Sequence, residues 1–200
     1  FFHNIARRWP TNPVYDPNGH YVHGNEILQM ENGGLDATQQ DKLYQQLALE
    51  FRPLKGWKIR LEGNYNTVHY YNHWDVLPIY YYDQKQKPIA AAWSGGYAAG
   101  KSDVGDSMSR NNYYNGRFFT EYMFTLNDKH DFKFLAGLDM ESNRYTSLGA
   151  ARADLISPLV PSLNNATHKD VRPSFSNTQW ATMGAFGRIN YAYDSRYLVE

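Results

Sequence analysis

The sequence predicts an all-β fold, an antiparallel transmembrane β-barrel segment, and three observations carry that expectation. Apolar and polar residues alternate with period two along five stretches. Several of those stretches run about ten to fifteen residues, longer than the five or six usual in a soluble sandwich and enough for the 9–11 that cross a bilayer. Short and long connections also alternate strictly, as in outer-membrane barrels with brief turns at one rim and extended loops at the other.

The composition agrees. Leu, Ile, Val and Phe number 41 in 200 residues, thin for a soluble core, while 17 Tyr and 5 Trp keep the chain out of the disordered class. The net charge is zero with no basic stripe, which argues against a nucleic-acid partner. There are no cysteines, so disulfide scaffolds and thiolate metal sites are excluded. No apolar run reaches the length of a transmembrane helix. The chain opens on Phe1-Phe-His-Asn without methionine or secretory signal, as a processed chain or a fragment would.

Residues 1–40 read mainly as an extracellular loop. The first hairpin, 41–71, places Leu43, Leu47, Leu49 and Phe51 on one face of its first strand and Trp57, Ile59, Leu61 and Tyr65 on one face of its second, with Lys58, Arg60 and Glu62 opposite. Arg52-Pro-Leu-Lys-Gly56 is the turn between them. A loop spans 72–112. In the second hairpin, 113–145, Phe118, Tyr122 and Phe124 face away from Arg117, Glu121 and Met123. Beyond the turn at Asn127-Asp-Lys-His130, Phe132, Phe134, Leu138 and Met140 face away from Lys133, Asp139 and Glu141. Another loop spans 146–177. A hairpin then starts over 178–200, with Ala181, Met183, Ile189, Tyr191 and Tyr193 opposite Arg188 and Asn190 and a turn at Asp194-Ser-Arg196. A charge at the lipid midplane costs roughly 2–4 kcal/mol, so the charged face must look into water. That makes Lys58, Arg60, Glu62, Lys133, Asp139, Glu141 and Arg188 candidate lumen residues. A β-sandwich, with its inner faces apolar, is the soluble alternative.

The run Trp180–Glu200 contains FGRINYAYDSRYL and resembles a hallmark of the SusC/RagA family of TonB-dependent outer-membrane transporters. RPLKGWKI at the first turn and Asp131–Glu141, followed by ARADLISPLVPSLNNAT, resemble the same family, so the likeness covers most of residues 40–200. The resemblance implies a plugged barrel of about 22 strands, a size class known among such transporters. It implies location in the bacterial outer membrane and uptake of oligosaccharides or peptides, energised through TonB. It also implies a SusD-like surface lipoprotein that closes over the long loops. No enzyme activity and no cofactor are implied. About five strands and the start of a sixth cannot close such a barrel, and an open edge in lipid leaves backbone groups unsatisfied. The chain is therefore expected to be part of a larger polypeptide, with the plug, and the segment that contacts TonB, outside it. A surface-tethered or soluble glycan-binding module and a passive porin are the alternatives.

Trp57, Tyr70, Tyr71, Tyr191, Tyr193 and Tyr197 lie near strand ends, where aromatic girdles meet the lipid–water boundary, although cross-strand packing would also account for them. Trp74, Tyr80, Tyr81, Tyr82, Trp93 and Tyr97 lie in a long loop, where flat rings could stack on a solute, pack the loop on itself or dock a partner. His69 and His73 stand four apart, a spacing that does not converge on a strand, so a metal site is not expected. Asp103, Asp106, Asp139 and Glu141 give no sign of a converging catalytic pair. Gly95–Ser102, GGYAAGKS, fits the phosphate-loop pattern, but Lys87–Trp93 makes a poor buried strand and Asp103–Asn112 a poor helix. A glycine-rich turn is the simpler reading. The sequon Asn165-Ala-Thr167 has no role in this setting.

Overall fold

The computed structural model describes residues 6, 11–24, 26–92, 98–194 and 196–200. It is nearly all antiparallel strand. A short helix, α1 (Glu26–Asn32), precedes two long strands, β1 (Asp36–Leu54) and β2 (Trp57–Val76). A small hairpin follows, β3 (Ile79–Tyr82) and β4 (Pro88–Ala91). Then come β5 (Asp103–Leu126), β6 (His130–Ala153), a 3-10 turn (Leu163–Asn165), β7 (Arg172–Tyr193) and β8 (Tyr197–Val199). The sheet order is β1-β2-β5-β6-β7-β8, so the long strands pair in chain order, and β3-β4 form a separate ribbon.

The short turns have the chemistry that the strand twist requires. Asn127 and Asp128 take positive φ of 50° and 54°, and Lys129 N donates to Leu126 O at 3.3 Å, a two-residue turn of the type I′ kind. Gly56 has φ 82°, and its carbonyl accepts from Met123 N at 2.8 Å. A Cβ there would strike the Met123 carbonyl, so glycine is needed on two counts.

Two compact units divide the chain. The strand unit comprises Gln40–His69, Ser109–Thr146 and Ser176–Glu200. The loop unit comprises Phe1–Gln39, Tyr70–Met108 and Ser147–Phe175. The loop unit has a small buried core of Leu28, Val76, Ile79, Val104 and Ala166. Its first segment turns at Asp16, whose Oδ1 accepts from Asn18 N at 2.8 Å and His20 N at 2.9 Å. That turn docks on the β3–β4 ribbon: Gln86 Nε2 donates to Asp16 Oδ2 at 2.9 Å and His20 stacks on Tyr82 at 4.1 Å. In the strand unit, by contrast, the long apolar side chains are exposed, Phe51 at 65% and Met183 at 72%.

The strands outrun the expected hairpins. The loop expected over 72–112 is shortened at both ends, since β2 continues to Val76 and β5 begins at Asp103. The loop expected over 146–177 is shortened likewise, by β6 to Ala153 and β7 from Arg172. Residues 1–40 are not simply loop, because they contain α1 and the start of β1. The reason is visible in Asp103–Asn112, whose Gly, Ser, Asp and Asn residues read as turn formers. Their weak strand propensity spans only about 1 kcal/mol, and neighbours on both sides of β5 outweigh it. Asn112 Oδ1 accepts from Thr67 at 2.7 Å, and Asp106 Oδ1 accepts from Tyr71 at 2.8 Å.

Candidate functional site

Side-chain contacts in the strand unit separate its two faces. On the charged face, Glu121 of β5 lies between Lys58 of β2 at 3.7 Å and Lys133 of β6 at 2.9 Å. One step along, Arg117 lies between Glu62 at 3.8 Å and Asp139 at 3.3 Å. Arg60 joins Glu62 at 2.7 Å and reaches Glu50 of β1 at 4.0 Å. Asn115 donates to Asp139 and accepts from Asn64, both at 3.0 Å, and Tyr113 donates to Glu141 at 3.1 Å. Arg188 of β7 pairs with Glu200 at 3.1 Å. Charges of opposite sign thus alternate across neighbouring strands, the arrangement that stabilises a ladder rather than repelling it. All seven expected lumen residues carry an ion pair or hydrogen bond, six of them on the linked strands β1, β2, β5 and β6 and Arg188 separately with Glu200. Arg117 and Glu121, which the alternation sets on the charged side without a role of their own, are the central links of these pairings. The signal was there in their alternation with Phe118, Thr120 and Tyr122.

One apolar patch interrupts this face. Gly137 is buried because the rings of Phe119 and Phe186 close over it, and a Cβ there would lie 2.9 Å from Phe119 Cβ.

The opposite face carries a chain of rings near the short turns. Trp57 Nε1 donates to Thr120 Oγ1 at 2.8 Å, and its ring meets Tyr122 edge-on at 6.4 Å. Tyr122 touches Phe124 at 5.5 Å, Phe124 stacks on Phe132 at 5.2 Å, and Phe132 meets Tyr191 at 5.0 Å. His130 closes the run, bonded to the Tyr191 hydroxyl at 2.8 Å and tilted against Tyr193 at 5.1 Å. Trp57, Tyr191 and Tyr193 are therefore brought together, with Tyr122, Phe124, Phe132 and His130 added. Tyr197 pairs with Tyr193 across the last turn and is exposed. Tyr70 and Tyr71 are strand neighbours and so point to opposite faces; Tyr71 donates to Asp106 in the loop unit.

The loop aromatics mostly contact their own unit. The Trp74 indole lies against Gly105, 2.5 Å from where a Cβ would stand. Tyr82 stacks on His20, and Tyr81 tilts against His23 at 4.5 Å. Tyr80 is exposed. Trp93 and Tyr97 lie outside the described residues, as do Gly95 and Gly96 of the phosphate-loop pattern. That pattern runs into β5, a strand, where a phosphate loop needs a helix. Lys101 pairs with Asp154 at 3.6 Å, and Ser102 Oγ accepts from Leu155 N at 2.8 Å. His73 bonds Asp106 at 2.8 Å, and the buried Asp103 holds Arg172. In the sequon, Asn165 Nδ2 donates to Val160 O at 2.8 Å.

No protein-family model and no curated protein matches this sequence. Solved structures do. The RagAB peptide transporter superposes with a TM-score of 0.70 at 16% identity, over 90% of this chain and 20% of that one. The RagAB peptide importer in its open-open state gives 0.69 at 16% identity over the same shares, and in its closed-closed state 0.65 at 16% identity over 80% of this chain and 16% of that one. This chain spans a fifth or less of those chains. What the likeness establishes is the fold: the chain is an antiparallel β-barrel segment, alike in backbone to part of those transporter chains.

Proposed function

We propose that this chain is a stretch of barrel wall from a TonB-dependent outer-membrane transporter of the SusC kind, importing oligomeric nutrients, peptides or oligosaccharides, beneath a SusD-like surface lipoprotein. The observation that carries the reading is the division of the strand unit into an ion-paired face and an exposed apolar face over strands long enough to cross a bilayer. The backbone likeness to RagAB structures supports it. In this reading Lys58, Arg60, Glu62, Lys133, Asp139, Glu141 and Arg188 line water, and outer-membrane lipid meets the row of Ile59, Leu61, Phe132, Phe134 and Leu138. The neighbours named as peptide importers make peptide the first solute class to test. TonB acts through regions outside these residues, and transport proceeds without covalent chemistry. The long loops meet the lipoprotein.

The test is uptake of labelled oligopeptides and oligosaccharides by cells with and without the gene, and with and without TonB. Uptake that requires both supports active import. Uptake that survives loss of TonB points to a passive porin, and no gene-dependent uptake of either solute overturns the proposal.

A further inference from the structure

The strand unit contains a polar cavity of about 340 Å³ lined by Arg110, Asn112 and Tyr114 of β5, Ser142, Asn143, Arg144 and Thr146 of β6, and Gln179 of β7. We infer that this cavity binds the phosphate head group of a membrane lipid, held between Arg110 and Arg144.

Strand geometry brings the two arginines together. Tyr113 bonds Glu141 and Asn115 bonds Asp139 across β5 and β6 on the charged face. The intervening residues point the other way. Asp154 N donates to Ser102 O at 3.1 Å and Gly137 lies against Phe119, a register that sets Arg110 opposite Thr146 and Asn112 opposite Arg144, so the two arginines are diagonal neighbours on one face. Diagonal neighbours lie within reach of long side chains, so the two positive charges come close, and no Asp or Glu is among the residues lining the cavity. Elsewhere among the described residues Arg52, Arg60, Arg117, Arg152, Arg172, Arg188 and Arg196 each have an ion pair or a hydrogen bond. Arg110 and Arg144 have neither. An anion between them would supply the missing partner, and the guanidinium fork matches phosphate oxygens two at a time. Asn112, Ser142, Thr146 and Gln179 add neutral donors around it.

The depth argues for a lipid rather than a dissolved anion. Arg110 and Arg144 share the face of Phe118, Phe124, Phe134 and Leu138, the face that carries the exposed apolar row. Sixteen residues separate Leu126, at the short turn, from Arg110. At about 3.3 Å per residue and a tilt of about 45°, that is about 37 Å along the membrane normal. A hydrocarbon band about 25–30 Å thick ends below that height, so the cavity opens at head-group level. Just beneath it, Tyr114 stacks on Tyr65 at 4.9 Å, an aromatic pair suited to the interface.

This inference rests on the apolar face meeting lipid, as proposed above. The test titrates the detergent-solubilised transporter polypeptide that carries this chain with monophosphorylated lipid A, followed by native mass spectrometry. Wild type and Arg196→Gln should bind alike, and the Arg110→Gln/Arg144→Gln double variant about tenfold more weakly. Binding by the double variant within about twofold of wild type overturns the site. Equal binding of dephosphorylated lipid A overturns the phosphate contact, and displacement of the lipid by equimolar inorganic phosphate overturns the membrane source. If the double variant does not assemble, Arg110→Lys/Arg144→Lys keeps the charge without the fork, and its affinity should fall about threefold; unchanged affinity counts against the site. A polypeptide that stays monodisperse without detergent removes the barrel-in-lipid reading itself. One that needs detergent, with unchanged lipid binding in the variants, removes only the arginine site.

Discussion

The loop unit and the strand unit solve the same physical problem in opposite ways. The loop unit covers its apolar side chains with its own chain. Val104 is fully buried and Leu28, Val76, Ile79 and Ala166 nearly so, and Asp103, a buried acid, is matched by Arg172. The strand unit covers almost nothing: most of its large apolar side chains stand exposed on one face while its ion-paired charges lie on the other, where Met123 and Phe186 are among the exposed apolar exceptions. In a molecule surrounded by water the second arrangement is upside down, since exposing a row of large apolar groups forfeits roughly 25 cal/mol for each Å² left wet. It becomes stable once hydrocarbon covers that face. A buried core marks where protein is the solvent; in the proposed barrel wall, lipid takes that part for the apolar face.

The sharpest way to break this contrast is to exchange the faces at two adjacent residues. Leu138→Arg should cost about 2–4 kcal/mol in refolding into lipid bilayers, measured by denaturant titration, whereas Asp139→Arg should leave insertion intact. Equal costs would show that both faces meet the same medium. The loop unit should obey the ordinary core rules instead. Gly34 has φ 111°, and a Cβ there would strike the Asp75 carbonyl, so Gly34→Ala should cost about 1–3 kcal/mol and open the loops to protease while the strands stay protected. On the charged face the effects are smaller. Glu121→Gln leaves Lys58 and Lys133, on either side of β5, without their shared acid, for a loss of at most about 1 kcal/mol that shrinks further in high salt.

The smallest effect is acid sensitivity in the first loop. The Gln86 side-chain hydrogen bond, followed by the His20 backbone N–H, holds the Asp16 carboxyl below its ordinary 3.8. A lowered pKa contributes stability at pH above 3.8 that is lost as pH falls through the lowered value. Exchange of the Asn18 and His20 amides, corrected for its intrinsic pH dependence, should quicken below that point and be quick throughout in Asp16→Asn. In the same region the Tyr21 hydroxyl, bonded to Glu31, is pushed up to about 12 and stays neutral over this range.

Much of the strand unit was legible in the chain itself, because a strand's period of two writes the two faces directly into the order of residues. Trp57-Lys-Ile-Arg-Leu-Glu62 and Asp131-Phe-Lys-Phe134 could hardly be divided differently. The residues of the charged face followed from the same alternation, but their partners did not. That Glu121 bridges two lysines, and that Arg110 comes diagonally next to Arg144, depends on register between strands, which no single stretch encodes. Asp103–Asn112 shows the limit of local reading: its residues favour turns, and only the strands on either side make it β. The loop aromatics show it again, since Tyr82 on His20 and Trp74 on Gly105 are contacts across long chain separations. Alternation along the chain is a local property set by the backbone pleat, so the sequence by itself determined the fold class and the sorting of side chains to two faces. Register, strand length and the packing of the long loops arise from contacts between distant segments, and those only the tertiary structure decided.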